Sequence, residues 1–269
     1  MHYYQNYIIY KASGGLTHSL VGLWRAIKIS AEKERFLIID FMQNTAFGRD
    51  FSDFFVIKGL KYSDKYDFIP PEFSFNEKSI EEIQNENVTY ENRVFSIFNC
   101  KINKNIDDRQ VIQFVAGTNG IKGDVFIKGL RVIPEILEKL RNEPKIDRQF
   151  ISVHFRNTNI KNNIKKKVNK VREIVRQTKI RWVYIASDDC NALDNFKRFL
   201  PHVNFIGNTN NSNDKWKQIY DCLKDIYFIL QSEIFIPSFN SSLSRMINAM
   251  IESNENLFDL PTKTKSLFT

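Results

Sequence analysis

Two stretches decide the fold: Phe150-Ile151-Ser152-Val153-His154-Phe155-Arg156 and, one helix later, Trp182-Val183-Tyr184-Ile185-Ala186-Ser187-Asp188-Asp189. Each is a short apolar run rich in β-forming residues that breaks into polar residues at its carboxyl end. Between them, Asn163 to Thr178 carries Val and Ile at helical spacing among Lys and Arg. The pattern continues with a helix Ala192 to Leu200, which an Asp of the Asp188-Asp189 pair is suited to cap, and a strand Val203 to Ile206. A helix Lys215 to Gln231, a strand Ile234 to Pro237 and a helix Ser242 to Ser253 follow. Strands and helices alternating at this spacing form βαβ units, hence a parallel sheet with helices on both faces. Such sheets bind ligands at the carboxyl ends of their strands, where Arg156, Ser187 to Asp189 and Ser238 to Ser242 fall.

Working back toward the amino terminus, Tyr7 to Tyr10 reads as a strand, Ser13-Gly14-Gly15 as a tight turn, Thr17 to Glu32 as a helix and Phe36 to Phe41 as a second strand. This is another βαβ start. Residues 45–110 are rich in Phe, interrupted by Pro70-Pro71, and yield only short strands and loops. Val111 to Val115 is expected as a strand and Leu130 to Arg141 as a helix. The polar stretch Asn142-Glu143-Pro144-Lys145 divides the chain into an expected N-terminal α/β domain, 1–144, and a C-terminal Rossmann-like domain, 145–269.

The 269 residues are 42% apolar and 13% aromatic, which excludes a disordered chain, and they hold 39 Lys or Arg against 31 Asp or Glu, a net +8. That excess favours an anionic partner: a nucleotide, a nucleic acid or a lipid surface. No apolar run reaches the roughly 20 residues of a bilayer crossing. The amino terminus lacks a signal-peptide pattern, and three scattered cysteines, Cys100, Cys190 and Cys222, make no disulfide framework, so a cytoplasmic protein is expected.

Gly14-Gly15 lies between a strand and a helix, where glycine lets backbone approach a ligand and the helix N-terminus offers N–H groups to an anion. It reads equally as an ordinary turn, with neither a dinucleotide fingerprint nor a P-loop. His154 and Arg156 share one face of their strand. Either they grip a ligand, the guanidinium taking a phosphate through two hydrogen bonds, or they are a buried histidine and a structural ion pair. Ser238, Ser241 and Ser242 open a helix, and one N-cap would explain only one of them. Asp225 lies in the apolar part of a helix, where a carboxylate requires a partner, either a local group or a purine edge. Asp188-Asp189 offers too few oxygens for a metal, and no His/Cys spacing suggests zinc. The basic run Lys165-Lys166-Lys167 continuing to Lys170 and Arg172 lies on a helix without docking aromatics, so nucleic acid is not expected as a partner.

Taken in order, these segments resemble the α1,6-fucosyltransferase family, which includes the core and nodulation fucosyltransferases. Gly14-Gly15-Leu16-Thr17-His18 with Arg35 to Asp40 behind it is similar to the family's Gly-rich turn, helix and strand. His154-Phe155-Arg156-Asn157-Thr158-Asn159 resembles its His-x-Arg-Arg-Thr-Asp motif, Ala186 to Asp189 its strand ending in Thr-Asp-Asp, and Asp225 to Leu230 with Ser238 to Arg245 its last helix and serine loop. The likeness covers about 150–260 well, 12–41 fairly, and 45–145 not at all.

The resemblance implies a GT-B-like, metal-independent, inverting glycosyltransferase with no cofactor beyond a GDP-sugar co-substrate. By it, Asp225 and His154 hold guanine, while Arg156, Ser241 and the Gly14-Gly15 backbone hold the β-phosphate, with Asp188, Ser238 and Ser242 in the donor site. Two positions depart from the motif: the family's second Arg is Asn157 and its Asp is Asn159. The sugar is therefore open between fucose and another GDP-linked sugar such as a heptose. No counterpart of the family's acceptor-activating carboxylate stands after the motif, which leaves His18, Asp40 and Asp124 as candidate bases. The expected role is bacterial surface polysaccharide or lipooligosaccharide synthesis on a glycan or lipid-linked acceptor, with peripheral contact to an anionic membrane. The alternative is a catalytically degenerate nucleotide- or glycan-binding protein of the same fold.

Overall fold

A computed structural model describes residues 6–42, 47–66, 79–86, 88–91, 94–98, 111–116, 126–156, 164–209, 212–238 and 241–267. The chain divides into two compact units, Met1–Ile133 and Pro134–Thr269.

The first unit runs β1 (Tyr7–Ala12), α1 (Leu16–Glu32), β2 (Phe36–Asp40), β3 (Phe55–Ile57), β4 (Tyr62–Ser63), α2 (Ile80–Glu86), β5 (Val88–Glu91), β6 (Val94–Phe98), β7 (Val111–Ala116) and β8 (Leu130–Val132). Six strands form one sheet in the order β4-β2-β1-β7-β6-β5, parallel except for β5 against β6, while β3 and β8 form a separate antiparallel ribbon. Strand β1 is buried along its whole length. Its residues therefore serve two cores: Tyr7 and Ile9 pack with Phe36 and Ile38 on one face, and on the other the Tyr10 hydroxyl donates to the Ser19 carbonyl of α1. The Phe-rich segment owes its composition to a cluster of Phe41, Phe47, Phe51, Phe54 and Phe55, whose rings meet edge to face or tilted at 4.6–6.5 Å.

Residues 130–141 are not one helix. Leu130–Val132 is β8, paired with β3, and the helix α3 (Pro134–Arg141) begins only at Pro134. Proline favours the first helical position and drives the residue before it out of helical backbone, so β-branched Val132 and Ile133 stay extended. Helix α3 belongs to the second unit. The polar stretch after it is tied down there too, because Glu143 accepts hydrogen bonds from the Tyr220 hydroxyl (2.9 Å) and the Lys224 ammonium (2.6 Å).

The second unit continues with β9 (Phe150–Phe155), α4 (Ile164–Thr178), β10 (Trp182–Ser187), α5 (Ala192–Phe199), β11 (Asn204–Thr209), α6 (Lys215–Ile229), β12 (Ile234–Ile236), α7 (Ser242–Ser253) and β13 (Lys265–Ser266). Its five strands are all parallel, in the order β11-β10-β9-β12-β13. Alternation sorts the strands' side chains onto two faces. Ile151, Val153, Phe155, Val183 and Ile185 pack with Val168, Val171 and Ile174 of α4 and with Ala192 and Phe196 of α5. On the other face Tyr184 stacks on Phe228 of α6 at 5.0 Å, and His154 meets Ser244 of α7. Order reverses between β9 and β12 in this sheet and between β1 and β7 in the first. These topological switch points are where open α/β sheets leave a crevice at the strands' carboxyl ends.

Candidate functional site

In the second unit the switch point gathers the predicted residues from three strands and a helix. His154, only 5% exposed near the end of β9, is bonded through Nδ1 to Ser244 Oγ at 2.8 Å. Ser244 Oγ in turn accepts the backbone N–H of Ser238 at 2.9 Å, just past β12. One serine therefore links β9, the turn after β12 and α7. Burial pushes His154 down to about 4, with Asp188 opposing and Lys167 and Arg156 adding to the fall. The imidazole is neutral at pH 7, and with Nδ1 committed to Ser244 it has Nε2 left for a ligand, as donor or acceptor according to the tautomer.

Arg156 follows β9 directly, and its Nε lies 3.8 Å from Asp188 Oδ2, both side chains remaining about one-third exposed (31% and 35%). An ion pair this open is weak, so Asp188 alone does not neutralise the guanidinium. The Asp188-Asp189 pair divides its work. Asp189 Oδ1 accepts the N–H of Asn191 at 2.9 Å and its carbonyl accepts that of Ala192, but the cap residue of α5 is Asn191, so neither Asp is the N-cap that the sequence led us to expect. Ser187 explains the difference: its hydroxyl donates to the Phe155 carbonyl at 2.6 Å and accepts the Asp189 N–H at 3.0 Å, drawing Asp189 into a local turn before α5 starts. Asp188 is left facing Arg156.

Ser238 and Ser241 are buried beside α7. Ser241 is the residue before the helix, in extended backbone, yet its hydroxyl makes no cap hydrogen bond and has no partner among the described residues. A buried, unpartnered hydroxyl next to the first N–H groups of a twelve-residue helix makes this terminus a fit for an anion's oxygens. Ser242 opens the helix itself, partly exposed. Phe239 and Asn240 of the loop, like Asn157 and Asn159 of the strand motif, lie outside the described residues.

Asp225, on α6, accepts a 2.7 Å hydrogen bond at Oδ1 from Tyr184 Oη, and its second oxygen has no partner among the described residues. Burial pushes its carboxyl group up to about 8 against the pull of that hydrogen bond. Beside it a cleft of about 210 Å3 is lined by Tyr184, Phe228, Ile206, Gly207, Lys224 and the 143–146 segment, and shares no residue with the Arg156 cluster.

In the first unit Gly14 takes φ +73°, and Gly15 is the residue before α1. The Ser19 hydroxyl secures the turn by donating to the Ser13 and Gly14 carbonyls (3.1 and 3.3 Å). His18 packs its ring where a Gly14 Cβ would sit, 3.3 Å away, and burial lowers its proton affinity, leaving it neutral at pH 7. Asp40 is committed elsewhere: Oδ2 accepts from Lys11 Nζ (3.0 Å) and Tyr66 Oη (2.6 Å), and Oδ1 from the Met42 N–H (3.1 Å). With both oxygens occupied by structural donors, it is poorly placed to take a proton from an acceptor. Asp124 lies outside the described residues.

Sequence reasoning missed Lys11, a fully buried cation at the end of β1, as well as the bridging role of Ser244 and the partnership of Tyr184 with Asp225. A lysine closing an otherwise apolar run just before Gly-Gly was the available signal for the first; the other two depend on contacts across the sheet. Among the described residues no group of three or more His, Cys, Asp or Glu could hold a metal ion, and no helix is long and apolar enough to cross a membrane.

No protein-family model and no curated protein sequence matches the chain. Solved structures do. The chain is similar to NodZ alpha-1,6-fucosyltransferase soaked with GDP-fucose, with a TM-score of 0.61 and 15% identity over 91% of this chain and 92% of that one. The fucosyltransferase NodZ from Bradyrhizobium gives 0.60 at 15% identity, over 91% and 93%. POFUT1 in complex with GDP gives 0.64 at 13% identity, over 98% and 99%. At such identities the likeness establishes the fold, a GT-B-like α/β architecture of two parallel-sheet units.

Proposed function

We propose that the protein is a glycosyltransferase that takes a sugar from a GDP-sugar, fucose or another GDP-linked sugar such as a heptose, and inverts its anomeric centre. The observation that carries this reading is that Arg156, just past β9, and the serine-lined N-terminus of α7, which follows the neighbouring strand β12, both fall at the switch point of the second sheet. It is supported by a fold shared with structures that were solved with GDP or GDP-fucose.

In this reading Arg156 and the α7 terminus, with Ser238, Ser241 and Ser242, take the diphosphate, and Asp225 and His154 take guanine. The Gly14-Gly15 backbone adds N–H groups to the β-phosphate. As the sugar's C–O bond breaks, charge accumulates on the departing diphosphate. A fixed guanidinium and helix-terminal N–H groups stabilise that charge more in the transition state than in the ground state. They supply the electrostatic help that a divalent ion gives in other sugar transfers, so the proposed reaction has no resident metal. Inversion also requires a base on the acceptor hydroxyl. His18, neutral at pH 7, is the proposed base. The acceptor is proposed to be a surface glycan or its lipid-linked precursor. The exposed Lys165, Lys166, Lys170 and Arg176 of α4 suit contact with an anionic membrane from the cytoplasmic side.

The test is a thermal-shift titration with GDP alongside transfer and donor hydrolysis. GDP is expected to raise the melting temperature, and Arg156→Ala to remove both that shift and turnover, in line with the roughly 3–4 kcal/mol typical of one transition-state anion contact. Undiminished GDP binding by Arg156→Ala would sink the assignment. The commitment of Asp40 to Lys11 and Tyr66 favours one other reading, a nucleotide-binding protein without a base. It predicts GDP binding with neither transfer nor hydrolysis.

A further inference from the structure

Helix α4 carries six basic residues, and one of them points the other way. Lys165, Lys166, Lys170 and Arg176 are exposed, and Arg172 bonds to Asn169 on the helix surface, whereas Lys167 is partly buried. It stands one turn before Val171, on the side of α4 that meets the sheet. From there its ammonium group donates to the carbonyl of Pro237, at the carboxyl end of β12 and next to Ser238. It is close enough to His154 to depress that residue's proton affinity together with Arg156. The lysine therefore reaches from the α4 face of the sheet to the same rim that Arg156 reaches from β9.

This placement is unfavourable for an ordinary lysine. It sits in the first turn of α4, where the helix dipole disfavours a cation, and burial with Lys166 nearby pushes its amine down to about 8. A neutral glutamine or methionine would pack α4 against β12 without either penalty. An anion at the rim would remove both.

We propose that Lys167 is a second cationic ligand for the donor's diphosphate, acting beside Arg156. The inference rests on the GDP-sugar reading and adds to it a residue outside the strand and loop motifs. Its ammonium exchanges the Pro237 carbonyl, or shares it, for a phosphate oxygen when the donor binds.

Calorimetric titrations with GDP and with guanosine test it on the full chain, comparing the wild type with Lys167→Met and Lys167→Arg. Loss of one charge-assisted hydrogen bond predicts that Lys167→Met weakens GDP by about ten- to a hundredfold, leaves guanosine unchanged, and is largely rescued in Lys167→Arg. GDP affinity untouched in Lys167→Met, or an equal loss for guanosine, would mean that the lysine only ties α4 to β12 and would overturn the proposal. Failure of the wild type to bind GDP would overturn this proposal and the GDP-sugar reading together, so the two failures are told apart. Should Lys167→Met not fold, reductive methylation of the wild type gives the answer: GDP, and not guanosine, is expected to shield Lys167. Unchanged labelling under saturating GDP would contradict the proposal.

Discussion

Asp225 shows what a residue's surroundings do to its chemistry. Burial raises its carboxyl group to about 8; the Tyr184 hydroxyl and Lys224 pull it down, and Asp221 pushes it up. At pH 7 it is mostly protonated, yet accepting two N–H groups from guanine requires the anion. Guanosine binding should therefore release a proton below pH 8, and affinity should rise about tenfold per pH unit from 6 toward 8 and level off above. Titration with guanosine, which carries no phosphate to titrate, reads this directly. A flat profile, or one that Asp225→Asn fails to flatten, would count against a guanine contact there. The same shift opposes folding. The unfolded carboxyl loses its proton near 3.8 and the folded one near 8, so stability declines as pH rises through that window, and Asp225→Asn should remove that part of the decline. His154, Arg156 and Asp188 were legible in the sequence because a polar residue ending a parallel strand has few places to go. Lys167 was not, because one inward lysine among outward ones looks the same in a run of letters.

At the scale of elements, the turn between β1 and α1 makes a sharp contrast between two adjacent glycines. Gly14 has φ +73°, and a Cβ there would press on the His18 ring at 3.3 Å; Gly15 has φ −72° and open space around it. Gly14→Ala is expected to cost about 1–2 kcal/mol and to disturb His18, and Gly15→Ala distinctly less. Urea denaturation of the two variants compares them, and equal losses would contradict the described turn. Element boundaries followed local chemistry where local chemistry was strong: α7 spans Ser242–Ser253 as its serines and apolar spacing foretold. The reading of 130–141 as one helix failed at Pro134, where apolar periodicity outweighed a proline that should have divided it. Strand β13 has only Lys265 and Ser266, and nothing in those two residues announces pairing with β12.

For the molecule as a whole, the net charge of +8 first pointed to any anion. The structure sorts its cations into surface lysines on α4, a buried Lys11 that Asp40 removes from the balance, and Arg156 and Lys167 at one rim. The alternation of strands and helices from Phe150 onward made the second sheet legible, because parallel strands buried on both faces leave continuous apolar runs. The first unit was less so, since its Phe cluster and the β3–β8 ribbon are held by contacts distant in sequence. The fold is shared with fucosyltransferases at 11–15% identity, so the claim that remains to be tested is chemical. Calorimetric titration of the purified protein with GDP, ADP and UDP in EDTA tests it most directly. GDP is expected to bind at one site per chain, without metal, and distinctly tighter than ADP or UDP; no heat with GDP, equal affinity for all three, or binding only after a divalent ion is restored would overturn the GDP-sugar assignment.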